Sequence, residues 1–248
     1  MEAYTGLAQH YDRLTGDVPY PAWADYLQRH FRRCKGGVRT VAELACGTGS
    51  LACLLAQRGY QVTAVDRSAD MLCQADQKCR GLDVLLLCQD LSRLRLLQPV
   101  DAAVCCLDSL NYITRPALLR QAFHRVHRAL RPGGLFLFDV KTPAALEGAD
   151  GQLYLDERED MYCLWRGSYS PRRRVCSYDI DLFVRQDDGL WLRLQERHRQ
   201  YAYTMQELQR WLEDAGFAPV RQYGDRHMTP PQTGEQRVFF AAYRKGEG

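Results

Sequence analysis

The residues from Val41 to Ala52 join a glycine-rich turn to a strand-like segment. They read VAELACGTGSLA, in which the strand-like residues run directly into Cys46, Gly47 and Gly49. Glycines at such a turn let backbone N–H groups approach a ligand closely, and the helix that follows presents the positive end of its dipole. The pattern satisfies G-x-G-x-x-G/A, which by itself indicates only a turn that can hold a nucleotide.

Glu43, within the same segment, indicates which nucleotide the turn holds. An ionised carboxylate near the end of a buried strand is unfavourable unless a cation or a hydrogen-bond donor meets it. A pyrophosphate would be repelled by Glu43, whereas the ammonium group of a methionine moiety would be attracted. The residue therefore favours S-adenosylmethionine over a dinucleotide.

Two further acidic residues follow the next two strand-like segments. Asp66 lies nineteen residues after Gly47, where an acid can accept hydrogen bonds from both ribose hydroxyls. Its alternative role is an N-cap for the helix that begins near Ser68. Asp90, followed by Leu91, could accept the adenine amino group, or it could make a local turn. The order of the turn and the ribose acid predicts a nucleotide pocket at successive strand ends.

The residues after the fourth strand-like segment are candidates for binding the methyl acceptor. Asp108, Asn111 and Tyr112 lie there, although they could equally form a capped loop that leads to the next helix. His198, further along, could accept a proton near neutral pH or be an ordinary half-exposed strand residue. Methyl transfer from a sulfonium depends mainly on positioning and exclusion of water, so we predict no catalytic triad and assign no catalytic residue.

The order of the elements that carry these residues predicts an α/β fold. Strand-like segments alternate with helical stretches, which is typical of a parallel sheet; they are TVAELA, QVTAV, DVLLLC, DAAVCC and GLFLFDV. From Gly151 to about Tyr203 the apolar period changes to two, which predicts an antiparallel hairpin. A capping box at Thr204 and Glu207 begins the last helix, and FAPVRQY and RVFFAAY complete the sheet.

Five of these segments resemble successive motifs of the class I S-adenosylmethionine-dependent methyltransferases. They are ELACGTG, AVDRSADML, CQDLSRL, CLDSLNYI and LRPGGLFLFDV, within about residues 38–141. YTGLAQHYDRL and PYPAWADYL, with the β insertion, resemble a narrower group that includes amino-sugar N-methyltransferases and uncharacterised bacterial relatives. The resemblance implies a Rossmann-like seven-stranded sheet with an antiparallel β insertion before the last helix, and S-adenosylmethionine as the cofactor.

The resemblance also implies a division of the chain and a set of cofactor-binding residues. The division is an N-terminal helical lid at 1–36, a cofactor-binding core at 37–150, the β insertion at 151–203, and the last helix and two strands of the core at 204–248. The implied cofactor-binding residues are Glu43, Cys46, Gly47 and Gly49 at the methionine part, Asp66 at the ribose, Met71, Asp90 and Leu91 at the adenine, Cys106 and Leu107 at the sulfonium, and Tyr11 as a lid.

The whole-chain composition excludes several other classes. The net charge of +3 does not indicate nucleic-acid binding, and no apolar run approaches the roughly 18 residues of a membrane span. Most of the ten cysteines lie in apolar segments, which favours free thiols in a reducing cytoplasm. No CxxC pair, zinc-finger spacing or HExxH occurs, and His124 and His127, which lie three apart, are too few ligands for zinc, so we predict no metal.

We therefore predict a methyltransferase that acts on a nitrogen or oxygen atom of a small molecule. The expected partner is that acceptor. The protein is expected to be either a monomer or a homodimer whose two copies bind through the β insertion. The alternatives are a methyltransferase acting on RNA or protein, and a nucleotide-cofactor-binding protein without catalysis.

Overall fold

A seven-stranded sheet forms the centre of the computed structural model, which describes residues 7–246. Its strand order is β10-β11-β5-β4-β1-β2-β3, and β11 alone runs opposite to the other six strands. The strands are β1 Thr40–Leu44, β2 Gln61–Asp66, β3 Val84–Cys88, β4 Val100–Cys105, β5 Leu130–Lys141, β10 Phe217–Tyr223 and β11 Arg237–Arg244. This topology confirms the predicted Rossmann-like sheet. Residues 1–6 and 247–248, with the ends of the predicted lid and of the last segment, lie outside the described residues.

Helices cover both faces of this sheet. They are α1 Tyr11–Leu14, α2 Tyr20–Phe31, α3 Ser50–Gln57, α4 Ala69–Lys78, α5 Pro116–Ala129, α6 Pro143–Glu147 and α7 Met205–Asp214. The apolar stripe of α2, formed by Trp23, Leu27 and Phe31, is buried on one face. The stripes of α5 and α7 are buried on the other face. The predicted capping box at Thr204 and Glu207 begins α7. No helix within residues 7–246 is long and apolar enough to span a membrane.

The β insertion is a separate antiparallel sheet of four strands. These are β6 Leu153–Arg158, β7 Met161–Ser170, β8 Val175–Arg185 and β9 Trp191–Tyr201, paired in sequence order. The predicted hairpin corresponds to β8 and β9, whereas we did not predict β6 and β7 as separate strands. The inner side of β9 is polar, because Glu196, His198 and Gln200 are all buried there. This sheet therefore presents hydrogen-bonding groups to the core.

The expectation of free thiols is wrong for two cysteines, which form a disulfide. Cys53 of α3 and Cys79, directly after α4, have Cα atoms 5.4 Å apart. Cys105 and Cys106, which we expected to act as small apolar residues, are free and buried, whereas Cys88, for which we expected the same, is free but exposed. The bond joins the two helices that flank the glycine turn.

His30 of α2 is a fully buried histidine surrounded by aromatic rings. It contacts Tyr26 and Tyr223 edge-on, and neither of its ring nitrogens has a hydrogen-bond partner among the described residues. Burial, with smaller effects of Arg33 and Arg29, lowers the pKa of His30 to about 4. The folded protein therefore holds this ring neutral.

We expect the His30→Phe variant to resist acid better than the wild-type protein. Unfolded His30 binds a proton below its ordinary pKa of about 6.5, whereas the folded side chain does so only near pH 4, so stability is lost as the pH falls through this window. The difference corresponds to about 3 kcal/mol in the free energy of unfolding. Urea unfolding at pH 7 and at pH 4.5 measures it, with His124→Gln on an exposed site of α5 as the control. An equal loss of stability in His30→Phe and wild type would contradict the assignment.

Candidate active site

An inner cavity lies at the carboxyl ends of β1 to β4, where parallel sheets of this kind bind ligands. It has a larger compartment of about 290 Å³ and a smaller one of about 40 Å³, which share Tyr11, Ala45, Gly47, Leu107 and Ser109 in their walls. Of the predicted cofactor residues, the walls contain Tyr11, Glu43, Cys46, Gly47, Asp66, Met71, Asp90, Leu91, Cys106 and Leu107. Ten residues predicted from five separate segments thus meet around one cavity.

Asp66 fixes the glycine turn at the end of β1. Its Oδ2 accepts a hydrogen bond of 2.9 Å from the N–H of Gly47, which has a φ of +55°, and its Oδ1 accepts one of 2.9 Å from the N–H of Ser68. Ser68, and not Asp66, caps α4 with its side chain. Because a carboxylate oxygen can accept more than one bond, Asp66 retains acceptor capacity toward the cavity.

Glu43 contributes a buried carboxylate to the smaller compartment. Its side chain is 4% exposed, and its Oε2 has no hydrogen-bond partner among the described residues. Burial, and then the charge of Asp66, raises the pKa of Glu43 to about 8. An orphaned carboxylate oxygen facing a cavity matches a cationic group, so this wall fits the ammonium of S-adenosylmethionine.

Gly49 is the one predicted cofactor residue that the cavity walls do not include. It has a φ of +75° and precedes α3, and a Cβ there would lie 3.0 Å from Ala75 Cβ and 3.2 Å from Cys79 Sγ. The structure therefore gives Gly49 a different role from the predicted one, which is to allow α4 to pack closely against the turn.

The part of the inner cavity that we predicted to hold adenine combines a local turn with an apolar wall. Asp90 Oδ1 accepts hydrogen bonds from the backbone N–H of Ser92, at 2.8 Å, and from its hydroxyl. The local-turn interpretation of Asp90 is thus correct, and the same residue also lines the cavity beside Leu91. Met71, which is 2% exposed, lines the same compartment.

Several residues of the walls were not predicted. They include Arg67, Gln89, Ser109, Ile113 and Arg115 in the larger compartment and Tyr20, Thr48 and Ser50 in the smaller one. Most of these residues are next to a predicted residue in the sequence. Their position near the strand ends could therefore have predicted them. Tyr20 begins α2 and reaches the site only through tertiary packing.

Residues 7–14, which we call the N-terminal strap, run from the β insertion to the inner cavity. The half-buried Tyr11 lines both compartments of that cavity. Its neighbour Asp12 accepts hydrogen bonds from Lys78 Nζ, at 2.7 Å, and from the hydroxyl of Thr48 in the glycine turn, at 2.6 Å. At the insertion, Arg13 pairs with Asp160, and the N–H of Leu7 donates to Glu196 Oε1. The strap is thus bound to both parts of the protein.

An outer cleft of about 1030 Å³ separates the core sheet from the β insertion. Its walls combine aromatic rings, such as Trp165 and Tyr178, with charged side chains of β5, β6 and β11. Tyr112 lines this cleft and also the larger compartment of the inner cavity. The two spaces therefore meet at the ring of Tyr112.

Asp108 and Asn111 lie beneath the outer cleft and not on its wall. Asp108 accepts hydrogen bonds from Arg237 at 2.8 Å and from Gln200 at 2.5 Å, and Lys141 Nζ lies 3.5 Å away. Burial opposes the ionisation of Asp108, but Lys141 and Arg237 outweigh it and lower its pKa. Asn111 binds backbone groups of Lys141 and Tyr201. Their predicted contact with the acceptor is not supported, because both support the loop from within.

His198 is buried, so the half-exposed alternative is wrong. Its side chain is fully inaccessible, with Nε2 2.8 Å from Glu196 Oε2 and Nδ1 3.4 Å from the hydroxyl of Tyr112. It is not part of the walls of either space, but it contacts Tyr112, which is part of both. Within residues 7–246, no three His, Cys, Asp or Glu side chains are arranged to hold a metal.

The fold and the inner cavity together define a class of protein. A mainly parallel sheet carries a glycine turn after β1 and acids at the ends of β2 and β3, and Glu43, whose Oε2 has no partner among the described residues, lines the smaller compartment. This arrangement is that of a class I S-adenosylmethionine-dependent methyltransferase.

Comparisons with known proteins identify the family. A family model described as a methyltransferase domain matches residues 41–134. A protein of Geobacillus sp. (strain WCH70), provisionally designated a methyltransferase, is 31% identical over 96% of this chain and 98% of its own length. The chain belongs to the S-adenosylmethionine-dependent methyltransferases and is an enzyme of that class.

Solved structures agree with this assignment. The crystal structure of an S-adenosylmethionine-dependent methyltransferase from Clostridium acetobutylicum ATCC 824 matches with a TM-score of 0.88 and 27% identity, over 99% of this chain and 100% of that one. A sugar N-methyltransferase from Streptoalloteichus sp ATCC 53650 has a TM-score of 0.80 and 21% identity, over 95% and 92% of the two chains. At this lower identity the second likeness concerns the fold.

Proposed function

We propose that the enzyme methylates a nitrogen or oxygen atom of a small polar molecule that binds in the outer cleft. The observation that carries this proposal is the meeting of the outer cleft and the inner cavity at Tyr112. A cleft of about 1030 Å³ has the size of a small-molecule site. The acceptor and the cofactor thus come together beside the Tyr112 ring, where the methyl group can pass directly from one to the other.

The cofactor lies in the inner cavity in this proposal. Glu43 binds its ammonium group, Asp66 its ribose hydroxyls, and Asp90 its adenine amino group, while Met71 and Leu91 pack against the adenine. When bound, S-adenosylmethionine supplies an electrophilic methyl group. The protein's own contribution is to orient the acceptor and to exclude water, with Tyr11 covering the cavity.

The charges around the outer cleft favour an amine among the possible acceptors. The three cationic side chains in the cleft wall each pair with an aspartate. Arg158 lies 2.7 Å from Asp156, and Arg237 and Lys141 lie 2.8 Å and 3.5 Å from Asp108.

Two carboxylates in the cleft wall, Asp17 and Glu235, form no salt bridge with another residue between 7 and 246. Such carboxylates attract a cationic group before its deprotonation. The similar fold of a sugar N-methyltransferase supports the same choice.

Incubation of the protein with S-adenosylmethionine and a panel of small acceptors tests this function. The panel pairs amino sugars with the corresponding sugars that carry hydroxyl groups, such as glucosamine with glucose, and adds simple amines and phenols. We expect S-adenosylhomocysteine and a singly methylated product from at least one acceptor, with amino compounds ahead of their matched hydroxyl compounds. Methylation of RNA or protein, together with no methylation of any small molecule, would contradict the proposal.

A further inference from the structure

A row of three hydrogen-bonding side chains leads from the meeting point of the two spaces into the β insertion. Tyr112 lines both spaces, His198 lies behind it, and Glu196 lies behind His198. We infer that Tyr112 is a catalytic residue, which takes the proton that the acceptor loses, and that His198 and Glu196 position Tyr112 and accept its own proton. This inference rests on the proposed function, since it requires an acceptor that carries an N–H or O–H group.

The geometry of the row is continuous from one residue to the next. The hydroxyl of Tyr112 lies 3.4 Å from His198 Nδ1, and His198 Nε2 lies 2.8 Å from Glu196 Oε2. The first distance is long for a hydrogen bond, but catalytic hydrogen bonds are often long without substrate and shorten in the complex. The ring of Trp165 meets that of His198 edge-on, with centroids 5.9 Å apart.

The partners of Glu196 determine which nitrogen of His198 carries the proton. Glu196 is 8% exposed, its Oε1 accepts the N–H of Leu7 at 3.0 Å, and its Oε2 faces His198 Nε2. A carboxylate that accepts at both oxygens requires a donor at Nε2, so the neutral imidazole is protonated there. His198 Nδ1 then presents a lone pair to the hydroxyl of Tyr112, as a proton acceptor must.

Among residues 7–246, Tyr178 and Lys141 are titratable groups, besides Glu196, that lie near His198. Tyr178 of β8 is its partner in the strand pairing, and the ammonium of Lys141 lies over the Tyr178 ring at 5.4 Å from its centroid. Asp108 lies beyond Lys141 and is bound to Arg237 and Gln200. Glu196 is therefore the acidic side chain that directly contacts the imidazole among the described residues.

The proton balance of the transfer is complete with these groups. The lone pair of the acceptor nitrogen or oxygen forms the bond to the methyl carbon, and the electron pair of the broken carbon–sulfur bond remains on sulfur. The acceptor loses its proton to Tyr112 Oη, and the hydroxyl proton of Tyr112 passes to His198 Nδ1. The imidazolium that results is stabilised by Glu196 and later releases the proton to solvent.

The Glu196→Gln variant tests the row by reversing the His198 tautomer while it keeps the shape of the side chain. The glutamine amide can accept from Leu7 with its oxygen and donate to His198 Nε2 with its nitrogen, which moves the imidazole proton to Nδ1. A misdirected tautomer of this kind disables a proton-accepting histidine without displacing it. We expect kcat to fall about 100-fold or more, with KM and the affinity for S-adenosylhomocysteine within about twofold of wild type.

The decisive measurement needs no acceptor. Nitrogen-15 NMR of the complex with S-adenosylhomocysteine reports which nitrogen of each histidine carries a proton, and the chain has six histidines to assign. We expect a proton on His198 Nε2 in wild type and on Nδ1 in Glu196→Gln. A proton on Nδ1 in the wild-type complex would overturn the inference, whatever the acceptor is.

Kinetics with an acceptor from the panel separate this inference from the proposed function. Tyr112→Phe removes the hydroxyl and keeps the ring, so we expect a similar loss of kcat with unchanged S-adenosylhomocysteine affinity. If wild type methylates a small molecule and Tyr112→Phe retains full kcat, the inference fails while the proposed function stands. If only a macromolecule is methylated, the proposed function itself fails.

Discussion

Replacing Asp66 by alanine is expected to weaken the binding of S-adenosylmethionine about 100-fold. The carboxylate lines the inner cavity and also holds the glycine turn through the N–H of Gly47. Hydrogen bonds to a charged group contribute about 1.5–3 kcal/mol each, and about 1.4 kcal/mol corresponds to a factor of ten. The loss of the ribose contacts, together with a loosened turn, thus corresponds to two orders of magnitude in the dissociation constant.

Isothermal titration calorimetry with S-adenosylmethionine measures this effect. Asp76→Ala is the matched control, because it removes the same charge from an exposed site on α4. Its affinity should remain within about twofold of wild type. An unchanged affinity in Asp66→Ala would show that the ribose does not depend on this side chain.

Glu43 is expected to make cofactor binding depend on pH. In the cavity without ligand the pKa of Glu43 is raised to about 8, so at pH 7 the carboxyl group holds its proton. The ammonium of the cofactor favours the ionised form, and binding therefore releases a proton. Affinity should rise with pH from 6 toward 8, by up to about tenfold per pH unit, because less work is then needed to remove that proton.

The Glu43→Gln variant keeps the shape of the side chain and removes its titration. At pH 7.5 we expect it to bind S-adenosylmethionine about 10- to 100-fold more weakly, from the loss of a charged hydrogen bond. The ammonium of the cofactor itself titrates near pH 8, and this contribution is common to both proteins. Calorimetry in buffers of different ionisation enthalpy counts the released protons. The same pH dependence in Glu43→Gln and wild type would rule out the proton linkage.

Most residues around the inner cavity could be predicted from the sequence because they lie at strand ends. A parallel sheet brings those ends to one edge, so Glu43, Asp66 and Asp90 meet without knowledge of the tertiary packing. Gly49 shows the limit of this reasoning. Its type and spacing match a ligand-binding glycine, yet α4 packs against it, and only the positions of two helices reveal that contact.

The acceptor side could be predicted less well because its elements carry weaker signals. The period of two in β9 shows that His198 and Glu196 lie on the same face of the strand. It does not show which face of the strand is buried against the core. The outer cleft also takes residues from irregular segments, such as Gln232 and Gly234, that have no periodic pattern. The Cys53–Cys79 bond joins residues 26 apart in the chain, which meet only when α3 and α4 pack together.

The double attachment of the N-terminal strap has a kinetic consequence. Because Tyr11 lines both compartments of the inner cavity, we expect S-adenosylhomocysteine to leave only when the strap moves. That movement breaks the contacts of Asp12 with Lys78 and of Arg13 with Asp160. Both are partly exposed ion pairs, which dissolved salt weakens. The residence time of S-adenosylhomocysteine should therefore shorten as ionic strength rises. The rate of product release then depends on salt concentration even where the rate of methyl transfer does not.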